Sequence, residues 1–254
     1  MVGAQLLDTG HLDDASSRYE QELRPGKAET CLRIVEKAIG GYAGIHRLLD
    51  VGCGEGGFLD RVKARGIETA GIEISSRAAA GAREKGHEVF EGSVTQPLVP
   101  PGRKFDAITM WDILEHLNEP GMALHHLLAA LRPGGRTFIV TPMMGSIYDR
   151  LGRAEYALSA GRHRRLLSMC FSRDHVFRFH PKGVAAALHQ IGFRDVIVKP
   201  MMMLSLNSDA YAGGRLIKSW TGRSRVDQTI SRMSVAFAKA ARLRNKVLIQ
   251  AVAG

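Results

Sequence analysis

Leu48-Leu49-Asp50-Val51-Gly52-Cys53-Gly54-Glu55-Gly56-Gly57-Phe58-Leu59 carries an apolar strand into a glycine loop and out again into a helix. The apolar run ends at Val51, and Phe58 to Lys63 reads as helix stopped by Gly66. Glycines between a buried strand and a helix let backbone approach a ligand that side chains would collide with. Further along, Thr69 to Ile74 reads as a second strand, followed by Ser75-Ser76 as a helix cap and an alanine-rich helix to Gly86. Glu88 to Glu91, Phe105 to Trp111 and Arg136 to Thr141 read as the next strands, with a helix over Met122 to Leu131 whose apolar positions are Leu124, Leu127, Leu128 and Leu131. Strands alternating with helices require right-handed crossovers, so the expectation is an α/β, doubly wound, mostly parallel sheet.

After Pro142 the pattern loosens. Pro181 opens a helix to Gln190, Phe193 to Val198 is a sixth strand and Lys246 to Ala253 a seventh. The expected organisation is an N-terminal helical segment over 1–44, broken at Pro25-Gly26, and a domain over 45–254. Basic insertions on its substrate side fall at about 143–180 and 201–245, the latter with Gly213-Gly214 and a helix-like stretch from Val226 to Leu243.

The glycines leave two nucleotide cofactors open. Gly52-x-Gly54-x-x-Gly57 also fits the dinucleotide fingerprint of nicotinamide enzymes. Asp50, two residues before the first glycine, is badly placed beside a pyrophosphate and well placed near a sulfonium. Glu73, 17 residues after Gly56, suits both ribose hydroxyls of either cofactor.

Four motifs in order settle on one family. Leu-Leu-Asp-Val-Gly-Cys-Gly-Glu-Gly (48–56), Gly-Ile-Glu-Ile-Ser (71–75), Phe-Asp-Ala-Ile-Thr-Met-Trp-Asp-Ile-Leu-Glu-His-Leu (105–117) and Leu-Arg-Pro-Gly-Gly (131–135) resemble the class I S-adenosylmethionine-dependent methyltransferases. The likeness is to the broad group that includes the ubiquinone-biosynthesis O-methyltransferases, and it covers roughly residues 45–200. It implies a seven-stranded Rossmann-like sheet of order 3-2-1-4-5-7-6 with the last-formed strand antiparallel. It also implies S-adenosylmethionine as cofactor, with Asp50, Gly52, Cys53, Gly54 and Gly56 around the methionyl part, Glu73 and Ile74 at the ribose, and Met110, Trp111 and Asp112 at the amino end. Where the family commonly has Gly-Asp after the third strand, this chain has Gly92-Ser93, so adenine recognition is expected to lean on Ser93 and the backbone near Val94.

Methyl transfer from an activated sulfonium needs an acceptor placed in line and, for a hydroxyl acceptor, a base. His116 and His175 are the candidate bases, since both follow strands at the edge where open α/β sheets bind ligands. Asp112-x-x-Glu115-His116 with His175 also resembles the divalent-metal site of some relatives, Asp112 standing where they have Glu; metal use is the less favoured expectation. His125-His126 is assigned no role. Asp149, Arg150, Arg153, His163, Arg164 and Arg165 are candidates for substrate contact, and Met201 to Met203 for a pocket wall.

Composition narrows the partners. The chain carries +10 overall, but residues 1–149 hold 16 Lys+Arg against 20 Asp+Glu, and 150–254 hold 19 against 5. That asymmetry points to an anionic acceptor or surface. The preferred acceptor is a small molecule or lipid-linked compound methylated at oxygen, with RNA as alternative. Against RNA stand the 6% aromatic content and the lack of a separate RNA-binding module. A catalytically inactive binding protein on the same fold is the remaining alternative. Residues 226–246, with Arg232, Lys239, Arg242, Arg244 and Lys246 beside Val235, Phe237 and Leu243, offer a peripheral contact with anionic lipid. No apolar run approaches bilayer length and no signal peptide is legible at the N-terminus, so the reading is soluble and cytoplasmic, possible membrane periphery included. Cys31, Cys53 and Cys170 are too few and too dispersed for a disulfide framework or zinc site. Oligomeric state is not legible.

Overall fold

The computed structural model describes residues 25–39, 41, 44–162, 175–201 and 246–254. The expectations for residues 1–24 of the N-terminal segment, for His163, Arg164, Arg165, Cys170, Met202, Met203 and Gly213-Gly214, and for the helix-like stretch 226–243 with its lipid contact lie outside the described residues.

Seven strands form one sheet of order β3-β2-β1-β4-β5-β7-β6, mostly parallel with β7 running against the rest. The strands are β1 (Arg47–Val51), β2 (Glu68–Glu73), β3 (Glu88–Glu91), β4 (Phe105–Trp111), β5 (Leu131–Pro142), β6 (Phe193–Met201) and β7 (Lys246–Ala253). The described residues divide into two compact units. One draws on the described residues up to Trp111, on Met122–Thr137 and on Ala253, the other on Asp112–Gly121, on the described residues from Phe138 to Val252 and on Gly254.

In the first unit β1 is the parallel partner of both β2 (Leu49 beside Ala70) and β4 (Leu49 beside Ile108). Its four last residues are buried, and all seven residues of β4 are buried, as expected for central strands covered on both faces. Helix α1 (Pro25–Ile39) begins at the proline that the sequence marks as a break, because proline is tolerated in the first helical turn. It buries Ala28, Cys31, Leu32 and Val35, a spacing that places all four on one helical face. Helices α2 (Gly57–Lys63) and α3 (Ser76–Glu84) are the crossovers after β1 and β2. Ser75 caps α3 by accepting from the Ala78 N–H at 3.3 Å. Helix α4 (Pro120–Ala130) precedes β5, which starts at Leu131, five residues before the expected Arg136, and takes in the Pro133-Gly134-Gly135 bend.

In the second unit α5 (Ile147–Leu158) and α6 (Pro181–Ile191) flank the undescribed part of the first insertion. Ser146 caps α5, accepting from Asp149 N–H, and Asp149 in turn accepts from Gly145 N–H and Arg153 Nε. β6 lies at the sheet edge and is largely exposed, with Arg194, Asp195 and Lys199 along it. Charges on an edge strand discourage pairing with other chains.

Candidate functional site

The loop after β1 turns through three left-handed glycines, Gly52, Gly54 and Gly56, at φ of 72°, 56° and 82°. The destination of its amide hydrogens distinguishes the two cofactors left open by the glycine pattern. Gly52 and Cys53 donate to the Ile72 carbonyl at 2.8 and 3.3 Å, Gly56 donates to the Cys53 carbonyl, and Gly54 donates to Glu73 Oε2 at 2.8 Å. A pyrophosphate site needs such amides turned toward the anion; those of Gly52, Cys53, Gly54 and Gly56 are spent inside the protein. Gly57 points the same way. In the dinucleotide fold the third glycine permits close helix–strand packing, whereas a Cβ built on Gly57 meets nothing within 4 Å.

Glu73 is 6% exposed. Its Oε1 accepts from Ser75 N–H at 2.9 Å and its Oε2 from Gly54, and no cation pairs with it among the described residues. Each carboxylate oxygen has a second lone pair, so a carboxylate oriented only by neutral amides is built to receive two hydroxyl donors. That is the chemistry of a ribose diol. Ile74, next in sequence, is 45% exposed, an apolar face beside that carboxylate. Asp50 is buried at the end of β1 and accepts from Thr109 Oγ1 at 2.6 Å.

The remaining expected cofactor residues are placed as follows. Met110 is fully buried within β4, so only its backbone can reach a ligand. Trp111 is buried edge-on against Phe58, ring centroids 5.6 Å apart. Cys53 is buried beneath the loop, and a Cβ on Gly71 would lie 2.3 Å from its sulfur, which is why β2 carries a glycine in mid-strand. Ser93 closes its own turn: its Oγ bonds Thr95 Oγ1 at 2.8 Å and accepts from Thr95 N–H. The Val94 carbonyl accepts from His126 Nδ1 at 3.1 Å. His126 therefore has a role that the sequence did not disclose, orienting the peptide on which adenine recognition is expected to depend. The only available signal was an imidazole on an otherwise apolar helix.

The other candidates belong to the second unit. Asp112 follows β4 at φ +58°, a left-handed conformation that costs a non-glycine residue free energy. Its backbone and its side chain are both engaged there. Its N–H donates to the Val140 carbonyl at 2.9 Å, and its Oδ2 accepts from Lys246 Nζ, the first residue of β7, at 2.5 Å. Glu115 is 1% exposed, with Oε2 accepting from Thr141 Oγ1 at 2.8 Å. Its backbone carbonyl takes the N–H groups of Val176 and Phe177 and so docks the segment that carries His175. The His116 and His175 rings meet edge to face at 4.8 Å. Burial, and next the negative charge of Asp112, push the Glu115 carboxyl up to about 8, against the opposing pull of Lys246 and Thr141.

Of the four residues expected to converge, three do. Ligand atoms of Glu115, His116 and His175 lie within 4.8 Å of one another, while Asp112 is engaged by Lys246. Glu115 Oε1 is buried without a hydrogen-bond partner among the described residues, and one carboxylate with two imidazoles is a donor set that suits a divalent cation. Asp149 is buried in the α5 cap and so is not available to a substrate; Arg150 is exposed.

A family model described as "Methyltransferase domain" matches residues 12–198. Among curated proteins, the ubiquinone biosynthesis O-methyltransferase of Alkalilimnicola ehrlichii is 33% identical over 145 residues, covering 53% of this chain and 58% of the relative. That of Bordetella bronchiseptica is 29% identical over 197 residues, 72% of this chain and 76% of the relative. The match thus spans less than two thirds of the first relative's length. Among solved structures, a SAM-dependent methyltransferase from Archaeoglobus fulgidus superposes with a TM-score of 0.60 at 21% identity, over 92% of this chain and 97% of that one.

Proposed function

Since the chain belongs to the methyltransferase-domain family, we propose that it transfers a methyl group from S-adenosylmethionine to a hydroxyl of a small-molecule or lipid-linked acceptor. The observation that carries this reading is the corner after β1, where the amides of Gly52, Cys53, Gly54 and Gly56 bond within the protein and Gly54 and Ser75 orient Glu73 to accept two hydroxyls. When bound, S-adenosylmethionine supplies a methyl already activated on a positively charged sulfur. The protein's part is then placement and proton removal. Glu73 accepts from the ribose hydroxyls, the buried Asp50 carboxylate supplies negative charge at the methionyl end, and the Val94 peptide, oriented by His126, faces adenine. His116 or His175 takes the acceptor proton as the new O–C bond forms and the S–C bond breaks, leaving neutral S-adenosylhomocysteine. The relatives named for ubiquinone biosynthesis support an oxygen acceptor of that class, and the basic excess after residue 150 supports an anionic or membrane-borne one.

The buried, unpartnered Glu115 Oε1 beside two imidazoles favours a second reading of the base. Glu115, His116 and His175 would hold a divalent cation, which would lower the pKa of the acceptor hydroxyl, while Asp112 is engaged by Lys246. Labelled S-adenosylmethionine incubated with phenols bearing or lacking a lipid tail, with RNA, and with chelator or added magnesium tests all of these. Label transfer to a tailed phenol is the expected result. Transfer to RNA alone would replace the acceptor assignment, and a wild-type protein that binds no S-adenosylhomocysteine would overturn the cofactor.

A further inference from the structure

Behind the glycine loop lies a second polar constellation that no cofactor contact explains. His87, in the turn between α3 and β3, is 4% exposed and both its ring nitrogens are engaged. Nδ1 bonds Thr69 Oγ1 of β2 at 2.8 Å, and Nε2 bonds Asp60 Oδ1 of α2 at 2.8 Å. A carboxylate only accepts, so Nε2 carries a proton; the Thr69 hydroxyl, able to give or to take, completes Nδ1 in either charge state. Acid, imidazole and hydroxyl in a row have the order of a nucleophile relay. Thr69 is only 7% exposed, however, and no acceptor reaches it. What remains for the row is a mechanical task, and its position says which one.

A Cβ built on Gly56 would lie 2.8 Å from His87 Cδ2 and 3.2 Å from its Nε2. The ring is thus the floor on which the last turn of the loop rests, with no room for a side chain between them. A second pin acts on the same turn: Lys85 Nζ donates to the Glu55 carbonyl at 2.6 Å and stands 3.8 Å from Asp60 Oδ2. Asp60 thereby joins the two pins, on the helix that the loop leads into. One residue before Glu55, the Gly54 amide orients the Glu73 carboxylate.

We propose that His87 is a positioning residue for the cofactor, its ring pinned by Asp60 and Thr69 so that it fixes the height of the Gly54–Gly56 arch and, through the Gly54 amide, the aim of Glu73. The inference rests on the reading that this corner holds S-adenosylmethionine. It makes cofactor affinity depend on a residue that touches no cofactor atom.

Calorimetric titration of S-adenosylhomocysteine into the full chain and its variants tests it, with thermal unfolding followed in parallel. His87→Ala is expected to weaken binding about tenfold, the size of one lost buried hydrogen bond. His87→Gln, whose side-chain amide keeps a donor for Asp60, is expected to bind within about threefold of wild type. A residue that merely fills the core would not be rescued in affinity by that donor. Gly56→Ala supplies a second measure: its cost in affinity is expected to shrink in the His87→Ala background, where the ring is gone and only the backbone conformation resists the methyl. If His87→Ala does not fold, Thr69→Val and Asp60→Ala remove one pin each while keeping the ring, and about threefold weakening is expected from either. Binding unchanged in folded His87→Ala, or in both single-pin variants, would overturn the proposal and leave the cofactor reading standing. A wild-type protein that fails to bind would overturn the cofactor reading itself.

Discussion

The glycine corner and the Asp112–Glu115 cluster both present buried carboxylates, but they satisfy them differently. At the corner, Glu73 is held by two backbone amides and Asp50 by the Thr109 hydroxyl. The amides on Glu73 are neutral donors fixed by the fold itself, and they leave that carboxylate able to accept more. In the cluster, Asp112 is held by a lysine ammonium from β7, and Glu115 by one hydroxyl while its other oxygen has no hydrogen-bond partner among the described residues. There the charge balance depends on side chains far apart in sequence, and a change of one member shifts the others. The Glu73 carboxylate is therefore fixed by the backbone, and the cluster is a balance of charges in which Lys246 takes part.

Glu73→Ala breaks the first half of that contrast and carries the largest expected effect. It removes both acceptors for the ribose and releases the Gly54 and Ser75 amides together. Two hydrogen bonds to a charged acceptor correspond to a loss of at least about a hundredfold in affinity for S-adenosylhomocysteine, measured by calorimetry. A loss below tenfold would mean that the ribose is bound elsewhere.

That corner was legible in the sequence because its parts are local. Strand, loop and helix follow one another, and β3, β4 and β7 begin and end at the expected residues. The place of Glu73 beside the loop was legible from its position at the end of β2. The cluster was half legible: Glu115 and His116 are adjacent and His175 was found by its residue type, but nothing in the sequence joins Lys246 to Asp112 across 134 residues. His87 and His126 escaped for the same reason. Their partners lie 18, 27 and 32 residues away, a polar contact leaves no periodic trace, and a histidine on an apolar helix looks like packing. β5 was misjudged at its start because Pro133-Gly134 signals a turn, while the ladder runs through the bend from Leu131.

Lys246→Met tests the second half of the contrast. It keeps most of the side-chain volume and leaves Asp112, on its left-handed backbone, with a buried charge. The pair is 17% and 11% exposed, and breaking it is expected to cost about 2 kcal/mol of stability in denaturant unfolding. Adding Asp112→Asn should recover most of that loss. Equal destabilisation by the single and double variants would show that the lysine contributes by packing alone.

Glu115→Gln sharpens the same point through pH. The carboxyl is held at about 8 in the folded state against an ordinary value of 4.5. Between those values the unfolded chain gives up a proton that the folded chain keeps, so the stability this group contributes is present in full below pH 4.5 and is lost as pH rises through 8. Glutamine keeps an acceptor for Thr141 and has no proton to lose. With chelator present, thermal unfolding should show the variant gaining on wild type as pH rises from 5 to about 8.5. A constant offset across that range would mean that Glu115 is ionised throughout.

Gly57→Ala has the smallest expected effect and returns to the ambiguity with which the glycine pattern began. A pyrophosphate-binding corner takes a small residue, glycine or alanine, at the third position for close packing, so an alanine there tests the space around the start of the helix. In this chain Gly57 opens α2 with a backbone φ outside the left-handed region and open space at the Cβ position. Alanine should fit without strain, stiffen the unfolded chain and raise stability by up to about 0.5 kcal/mol, with S-adenosylhomocysteine affinity within about twofold. One residue earlier, Gly56 is confined by its φ of 82° and by the His87 ring. Adjacent glycines that tolerate alanine so unequally would show that the arch requires Gly56 for its conformation and its clearance from the His87 ring, and requires neither of Gly57.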